Sequence, residues 1–265
     1  MSRTLRLALG QLGAGPDRAA NLAAARRAVH EAARAGAEVL VLPEYASCWL
    51  PRGLGREHAE PLDGPWLTGL RQTVAEEGVS VLVGTLVPAG ERARNLVVAL
   101  GPDGTLLGEY AKVHLYDAFG YRESEHLEPG DPAAAPLVVD LGLRLGVMTC
   151  FDLRFPESAR RLVDAGAQVL CVPAAWVDGP GKAEHWRALA LARAIESTAW
   201  VVAVGQAGPG RTGRSLAVAP DGTVRLELGP GPGLAVVELD EDSVRRERER
   251  SPLLALRRYA VVPRG

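Results

Sequence analysis

The stretch AGAEVLVLPE, Ala35–Glu44, is written a second time as AGAQVLCVPA, Ala165–Ala174. Each copy is an apolar, β-branched run behind a glycine turn, which reads as a buried strand entered from a helix. Working outwards, the same words surround both copies in the same order. LRLALGQ (Leu5–Gln11) is answered by LRLGVMT (Leu143–Thr149), VSVLVGT (Val79–Thr85) by AWVVAVG (Ala199–Gly205), and PDGTL (Pro102–Leu106) by PDGTV (Pro220–Val224). One match between two βα units is commonplace, but four in register imply two pseudo-equivalent halves. Each half then supplies a sheet. The expected fold is α/β, a four-layer α-β-β-α sandwich with the sheets face to face and the helices outside.

The local signals agree. Leu5–Gly10 and Ala37–Leu42 read as strands, with an Ala-rich amphipathic helix over Asp17–Ala35 between them. Pro65–Gly78 reads as a second helix and Val79–Val87 as a third strand. Asn95–Gly101 and Leu106–Lys112 flank Pro102-Asp103-Gly104, a hairpin turn.

At 265 residues the chain can bury a substantial core, as one large α/β domain or two small ones. Hydrophobic content of 47% and charged content of 23% are ordinary for a soluble globular protein. A net charge of −2 gives no reason to expect nucleic acid or an anionic membrane as partner. Met1–Gln11 is too short an apolar stretch for a signal peptide, and no run reaches the length of a membrane span. Cys48, Cys150 and Cys171 are odd in number and far apart, which points to a reducing cytoplasm rather than a disulfide framework. Of the 30 basic residues only Lys112 and Lys182 are lysines. A lysine that persists in so Arg-biased a chain can do what arginine cannot, being a compact ammonium whose pKa shifts readily. For either lysine alone, chance survival on the surface is as good an account.

Three residues stand at the C-terminal ends of predicted strands, where open α/β sheets place their sites. Cys150 follows Leu143–Met148 and opens CFDLRFPE, with Pro156 at the first position of the next helix. Glu44 ends VLVLPE, and Lys112 ends Leu106–Ala111. A thiol, a carboxylate able to act as base and an ammonium favouring thiolate and oxyanion make a nucleophilic site, with the Phe151 amide N–H as a second oxyanion donor. Superposing the halves puts Leu12 opposite Cys150, Ala174 opposite Glu44 and Pro230 opposite Lys112. The fold itself therefore needs no polar residue at these places. Val113–Asp131 reads as a long irregular loop over the site, with Glu123 a second acid candidate and Glu125 and Glu128 solvated. Cys171, in mid-strand, and Cys48 read as structural. Arg154 and Trp176, just beyond strand ends, are candidate substrate-side groups; Arg154 equally suits an ion pair with Asp152 or Glu157.

Other signals carry less. GPGRTG (Gly208–Gly213) satisfies G-x-G-x-x-G but runs into a strand, so no helix N-terminus meets a pyrophosphate. The five histidines form no close ligand pair, and no metal is expected. A Cys–His pair would leave Lys112 and Glu44 without roles. A redox sensor at Cys150 has no obvious resolving cysteine. RRERER (Arg245–Arg250) reads as a solvated helix face. The apolar tail Ser251–Gly265 reads as a segment at a subunit interface.

LPEY at 42–45, KVHLYDAFGYRESEHLEPGD at 112–131 and CFDLRFPE at 150–157 resemble the three catalytic segments of the nitrilase superfamily of carbon–nitrogen hydrolases. PAAW at 173–176 and ARAIES at 192–197 extend the match over nearly the whole chain. The resemblance implies one hydrolase domain over residues 1–265, an α-β-β-α sandwich pairing into a homodimer or higher homo-oligomer, and no metal or organic cofactor. It implies Glu44 as base, Lys112 and the Phe151 amide as oxyanion donors, Cys150 as nucleophile and Glu123 as a positioning acid. CFDLRFPE is closest to the amidases acting on small carboxylate-bearing amides, giving acid and ammonia through a cysteine thioester. Phe151-Asp152 departs from the Trp-Glu that typically follows the cysteine of nitrile-cleaving members. The rivals are hydrolysis of N-carbamoyl amino acids with the same residues, and a catalytically silent binding or scaffold protein on this fold.

Overall fold

The computed structural model describes residues 3–51 and 53–264; Arg52, within the segment 45–61, and Gly265, at the end of the tail, lie outside them, as do Met1 and Ser2. Two six-stranded sheets carry the fold. The first runs, in spatial order, Gly233–Asp240, Thr4–Gln11, Val39–Val41, Ser80–Ala89, Arg92–Leu100 and Leu106–Ala111. The second runs Val138–Asp140, Arg144–Val147, Val169–Ala174, Trp200–Gly205, Leu216–Val218 and Val224–Glu227. In both, the second, third and fourth strands are parallel and the remaining pairs antiparallel.

The repeat reaches individual hydrogen bonds. Gly101 N donates to Thr105 O, as Ala219 N does to Thr223 O, both at 2.8 Å. The ladder is irregular between Ala99 and Leu100, and again at their counterparts Ala217 and Val218. Arg6 and Arg144 each reach across to the carbonyl that ends the following helix, at Ala35 and Ala165. Two of the four edge strands, Val138–Asp140 and Gly233–Asp240, were not foreseen in the sequence. The first comes directly before its neighbour Arg144–Val147, while the second is returned from the far end of the chain to pair along all of Thr4–Gln11.

The layers follow from strand alternation, which sends successive side chains to opposite faces. Leu5, Leu7, Leu9, Val39 and Val41 point between the sheets, where they meet Leu145, Val147, Val169, Cys171 and Val202. Leu40 and Leu42 point outwards to the helices Arg18–Arg34 and Pro65–Glu77, packing with Val29, Ala32, Leu70 and Val74. On the other side Leu170 and Val172 meet Leu162, Trp186 and Ala190 of the helices Pro156–Asp164 and Lys182–Ser197. Cys171 is thus a core residue, its thiol pushed far up by burial.

RRERER lies in the helix Glu241–Arg250, with Arg245 paired to Asp242 and Glu249 on the surface. After a short helix, Leu253–Leu256, the tail leaves Tyr259 and Val262 exposed. Residues 259–264 border a cleft of about 820 Å³ shared with Tyr110, His114, Phe155 and Arg161. Among the described residues no helix is long and apolar enough to cross a membrane.

Candidate active site

Each candidate is seated by a backbone feature behind it. Glu44 leaves Val39–Val41 through Pro43, and the neighbouring strand has glycine at the contact: a Cβ on Gly84 would lie 2.4 Å from the Glu44 Cα. Gly130 fills the same role behind Lys112, where a Cβ would meet the Ala111 carbonyl oxygen at 2.3 Å. Cys150 opens a 3-10 helix, Cys150–Arg154. The Cys150 and Phe151 amides, at the start of that turn, have no intrahelical acceptor, whereas Asp152 N donates to Thr149 O at 2.9 Å. Cys150 and Tyr45 have φ of 47° and 57°, in the left-handed region that costs a side-chain-bearing residue roughly 1–2 kcal/mol.

Asp152 locks the nucleophile turn to the Lys112 segment. Its fully buried carboxylate accepts from Thr149 N (2.9 Å), His114 N (3.0 Å), His114 Nδ1 (2.7 Å) and Tyr110 OH (2.7 Å). It has no ion pair with Arg154, so that sequence alternative is corrected: Asp152 faces the strand side, and no carboxylate lies within 4 Å of Arg154 among the described residues.

The structure brings Glu44, Lys112, Glu123 and Cys150 together, all buried. Lys112 Nζ donates to Glu44 Oε1 at 3.0 Å and to Glu123 Oε2 and Oε1 at 2.8 and 3.1 Å. Asn95 Nδ2 donates to Glu44 Oε1 and the Ala175 amide to Oε2, both at 2.7 Å. Glu123 is held by the Tyr116 amide at 2.6 Å and by a very short bond from the Tyr45 hydroxyl. Burial alone would lower the Lys112 pKa, but Glu123, then Glu44, outweigh it and hold the ammonium well above its ordinary range. Lys112 is therefore a fixed cation.

Cys150 behaves oppositely. Burial first, then the Glu44 charge, raise its thiol well above the usual value, and the Lys112 charge offsets this only in part. Lys112 favours the thiolate, as expected from sequence, but burial and Glu44 outweigh it, and the resting site holds a neutral thiol near a carboxylate. Such a pair can pass its proton to the base as the sulfur attacks.

These groups floor a cavity of about 580 Å³ that Arg154 and Trp176 also line. Arg154 lies 4.8 Å over the Trp176 ring, and Trp176 Nε1 donates to the Lys182 carbonyl at 2.9 Å. Sequence reasoning missed Asn95, Tyr45, Tyr116 and Phe119. A signal existed for Asn95, a lone amide in the apolar strand RARNLVVAL and one of two asparagines in the chain. It did not assign Lys182 to the site either, yet both lysines of the chain line this cavity. Cys48 is buried away from it, its thiol raised by burial.

Comparison with known proteins gives the family. The carbon-nitrogen hydrolase family model matches residues 6–249. The chain is 42% identical over 268 residues to a hydrolase of Mycobacterium tuberculosis, covering 94% of each. It is 37% identical to the deaminated glutathione amidase of Escherichia coli O157:H7, covering 87% of this chain and 88% of that one. Among solved structures it is similar to the amidase of Nesterenkonia sp. AN1, at 28% identity and a TM-score of 0.81, covering 96% of this chain and 94% of that one. A glutamate-to-glutamine mutant of that amidase shows covalent addition of the acetamide moiety of fluoroacetamide at its active-site cysteine. The chain belongs to the carbon–nitrogen hydrolase family, within the nitrilase superfamily.

Proposed function

We propose that the chain hydrolyses a small carboxylate-bearing primary amide to acid and ammonia, with Cys150 as nucleophile. The observation that carries this reading is the placing of Lys112 between Glu44 and Glu123, beside a buried thiol on which the Glu44 charge acts. Cys150 Sγ attacks the carbonyl carbon while its proton passes to Glu44. The oxyanion is met by Lys112 Nζ and the Phe151 N–H, each worth about 3 kcal/mol by analogy with other acyl-transfer sites. Collapse breaks the C–N bond as Glu44 returns the proton to departing ammonia, leaving a thioester. Water then attacks, giving its proton to Glu44, and the acid leaves with the thiol restored. Glu123 touches no reacting atom in this scheme and positions Lys112. Arg154, with Trp176 beneath it, meets the substrate carboxylate.

Ammonia release over a panel of ω-amides, N-carbamoyl amino acids and nitriles tests the reading. The ω-amides bearing a carboxylate should give the highest kcat/KM, and nitriles no product. The name of the E. coli relative supplies deaminated glutathione as a further compound for the panel. Preferred turnover of nitriles, or of carbamoyl compounds, overturns it. We also read residues 1–265 as one domain of a cytoplasmic protein that forms homodimers, with the exposed tail at the subunit contact. The three free cysteines and the apolar Tyr259 and Val262 support this.

A further inference from the structure

The inner site and the outer wall of the cavity carry opposite charge. Glu44, Glu123 and Lys112 sum to one negative charge, while the outer wall presents Arg154 and Lys182. Lys182 is only 8% exposed. Its cover is the Phe119 ring, whose centroid lies 3.2 Å from Nζ, and among the described residues Nζ donates only to the Tyr116 hydroxyl, at 3.1 Å. Arg154 is 5.6 Å from the same ring. Among the described residues no carboxylate lies within ion-pair distance of either cation. Of the acids lining the cavity, Glu44 and Glu123 are taken by Lys112, and Asp178 accepts the Gly179 amide at 2.8 Å. Two cations held near each other without a counter-charge are costly in a partly desolvated place. Burial, and then the neighbouring Arg154, lower the Lys182 pKa accordingly.

We propose that Lys182 is a specificity-determining residue, which with Arg154 grips one carboxylate of the substrate from two sides, and that Phe119 occupies the place of this carboxylate when the site is empty. The inference rests on the amidase reading for its substrate but not for its geometry. Phe119 is suited to yield. It stands at the tip of the hairpin Asp117–Ala118 and Tyr121–Arg122, with φ of 56° and 67% of its surface exposed. A cation–π contact is weaker than a partly buried ammonium–carboxylate contact, so an incoming carboxylate displaces the ring. The substrate class that follows is the monoamide of a short dicarboxylic acid or a close analogue. Lys182 and Arg154 line the same cavity as Cys150.

Calorimetric titration of the full chain with glutarate, together with kinetics on glutaramate and neutral butyramide, tests this in the parent, Lys182→Met and Lys182→Arg. In Lys182→Met the Kd for glutarate and the KM for glutaramate should both rise about ten- to a hundredfold, the range for losing one charge-assisted hydrogen bond. The kcat for glutaramate and the KM for butyramide should stay near parental values, and Lys182→Arg should recover most of the glutarate affinity. Unchanged glutarate affinity in Lys182→Met overturns the proposal, as does an equal rise in KM for butyramide. If the parent hydrolyses glutaramate but does not bind glutarate, the grip is wrong and the amidase stands. If glutarate binding weakens as described while the parent hydrolyses no amide, the grip stands and the amidase reading falls.

Discussion

Cys150→Ala is expected to lower ammonia release on the order of 10⁴- to 10⁶-fold, the scale seen when a covalent catalyst loses its nucleophile, while the fold persists. The backbone φ of 47° costs alanine about what it costs cysteine, and only one buried atom is removed. Thermal unfolding should therefore move by no more than the equivalent of about 1 kcal/mol. Cys48 and Cys171, deep in apolar packing, offer no substitute thiol, and their replacement by alanine should leave turnover within a few-fold of the parent, about what repacking explains. Undiminished release by Cys150→Ala, with either residual thiol dispensable, would sink the mechanism.

Lys112→Met carries the second large effect, and here activity and stability fall together. Losing the oxyanion donor should cost about 10²- to 10³-fold in kcat. Losing the cation leaves Glu44 and Glu123 as buried like charges, which is destabilising by about 3–5 kcal/mol at neutral pH. The pH dependence of that loss has a definite sign. In the parent, Lys112 is raised above its unfolded value, so its contribution is complete below that value and is lost only at strongly alkaline pH. In the variant, burial and mutual repulsion raise the two carboxyl groups instead. A group raised in the folded state stabilises it at low pH and loses that contribution as pH rises through the folded pKa. Urea unfolding should show the deficit against the parent smaller at pH 5 than at pH 8. An equal deficit at both values would mean that the loss is packing rather than charge.

How much of this was legible in sequence depends on whether the determinant was local. The duplicated strand words showed the inner strands of both sheets, because each βα unit carries its own periodicity and turn. The edge strands Val138–Asp140 and Gly233–Asp240 were not legible. The first is three residues long, and the second takes its identity from pairing with Thr4–Gln11 across most of the chain. Glu44, Lys112 and Cys150 could be singled out because each breaks an apolar strand at its end and each has an apolar counterpart in the other half. Asn95 and Tyr45 act by convergence from separate elements onto Glu44 and Glu123, and no spacing announces that. Lys182 lies between these cases. Its rarity was visible, but only the fold sets it under Phe119 and beside Arg154. The expected pull of Lys112 on the Cys150 thiol is present but outweighed, because a sequence shows charge without burial, and burial dominates there.

The central claim is that the acyl group passes through Cys150. Its most direct test is mass spectrometry of the full chain, acid-quenched during turnover of glutaramate and digested into peptides. The account predicts a glutaryl group removed by hydroxylamine on the peptide containing Cys150, and unmodified peptides for Cys48 and Cys171. A glutaryl group on any other side chain, with Cys150 left as a free thiol while ammonia is still released, would contradict it.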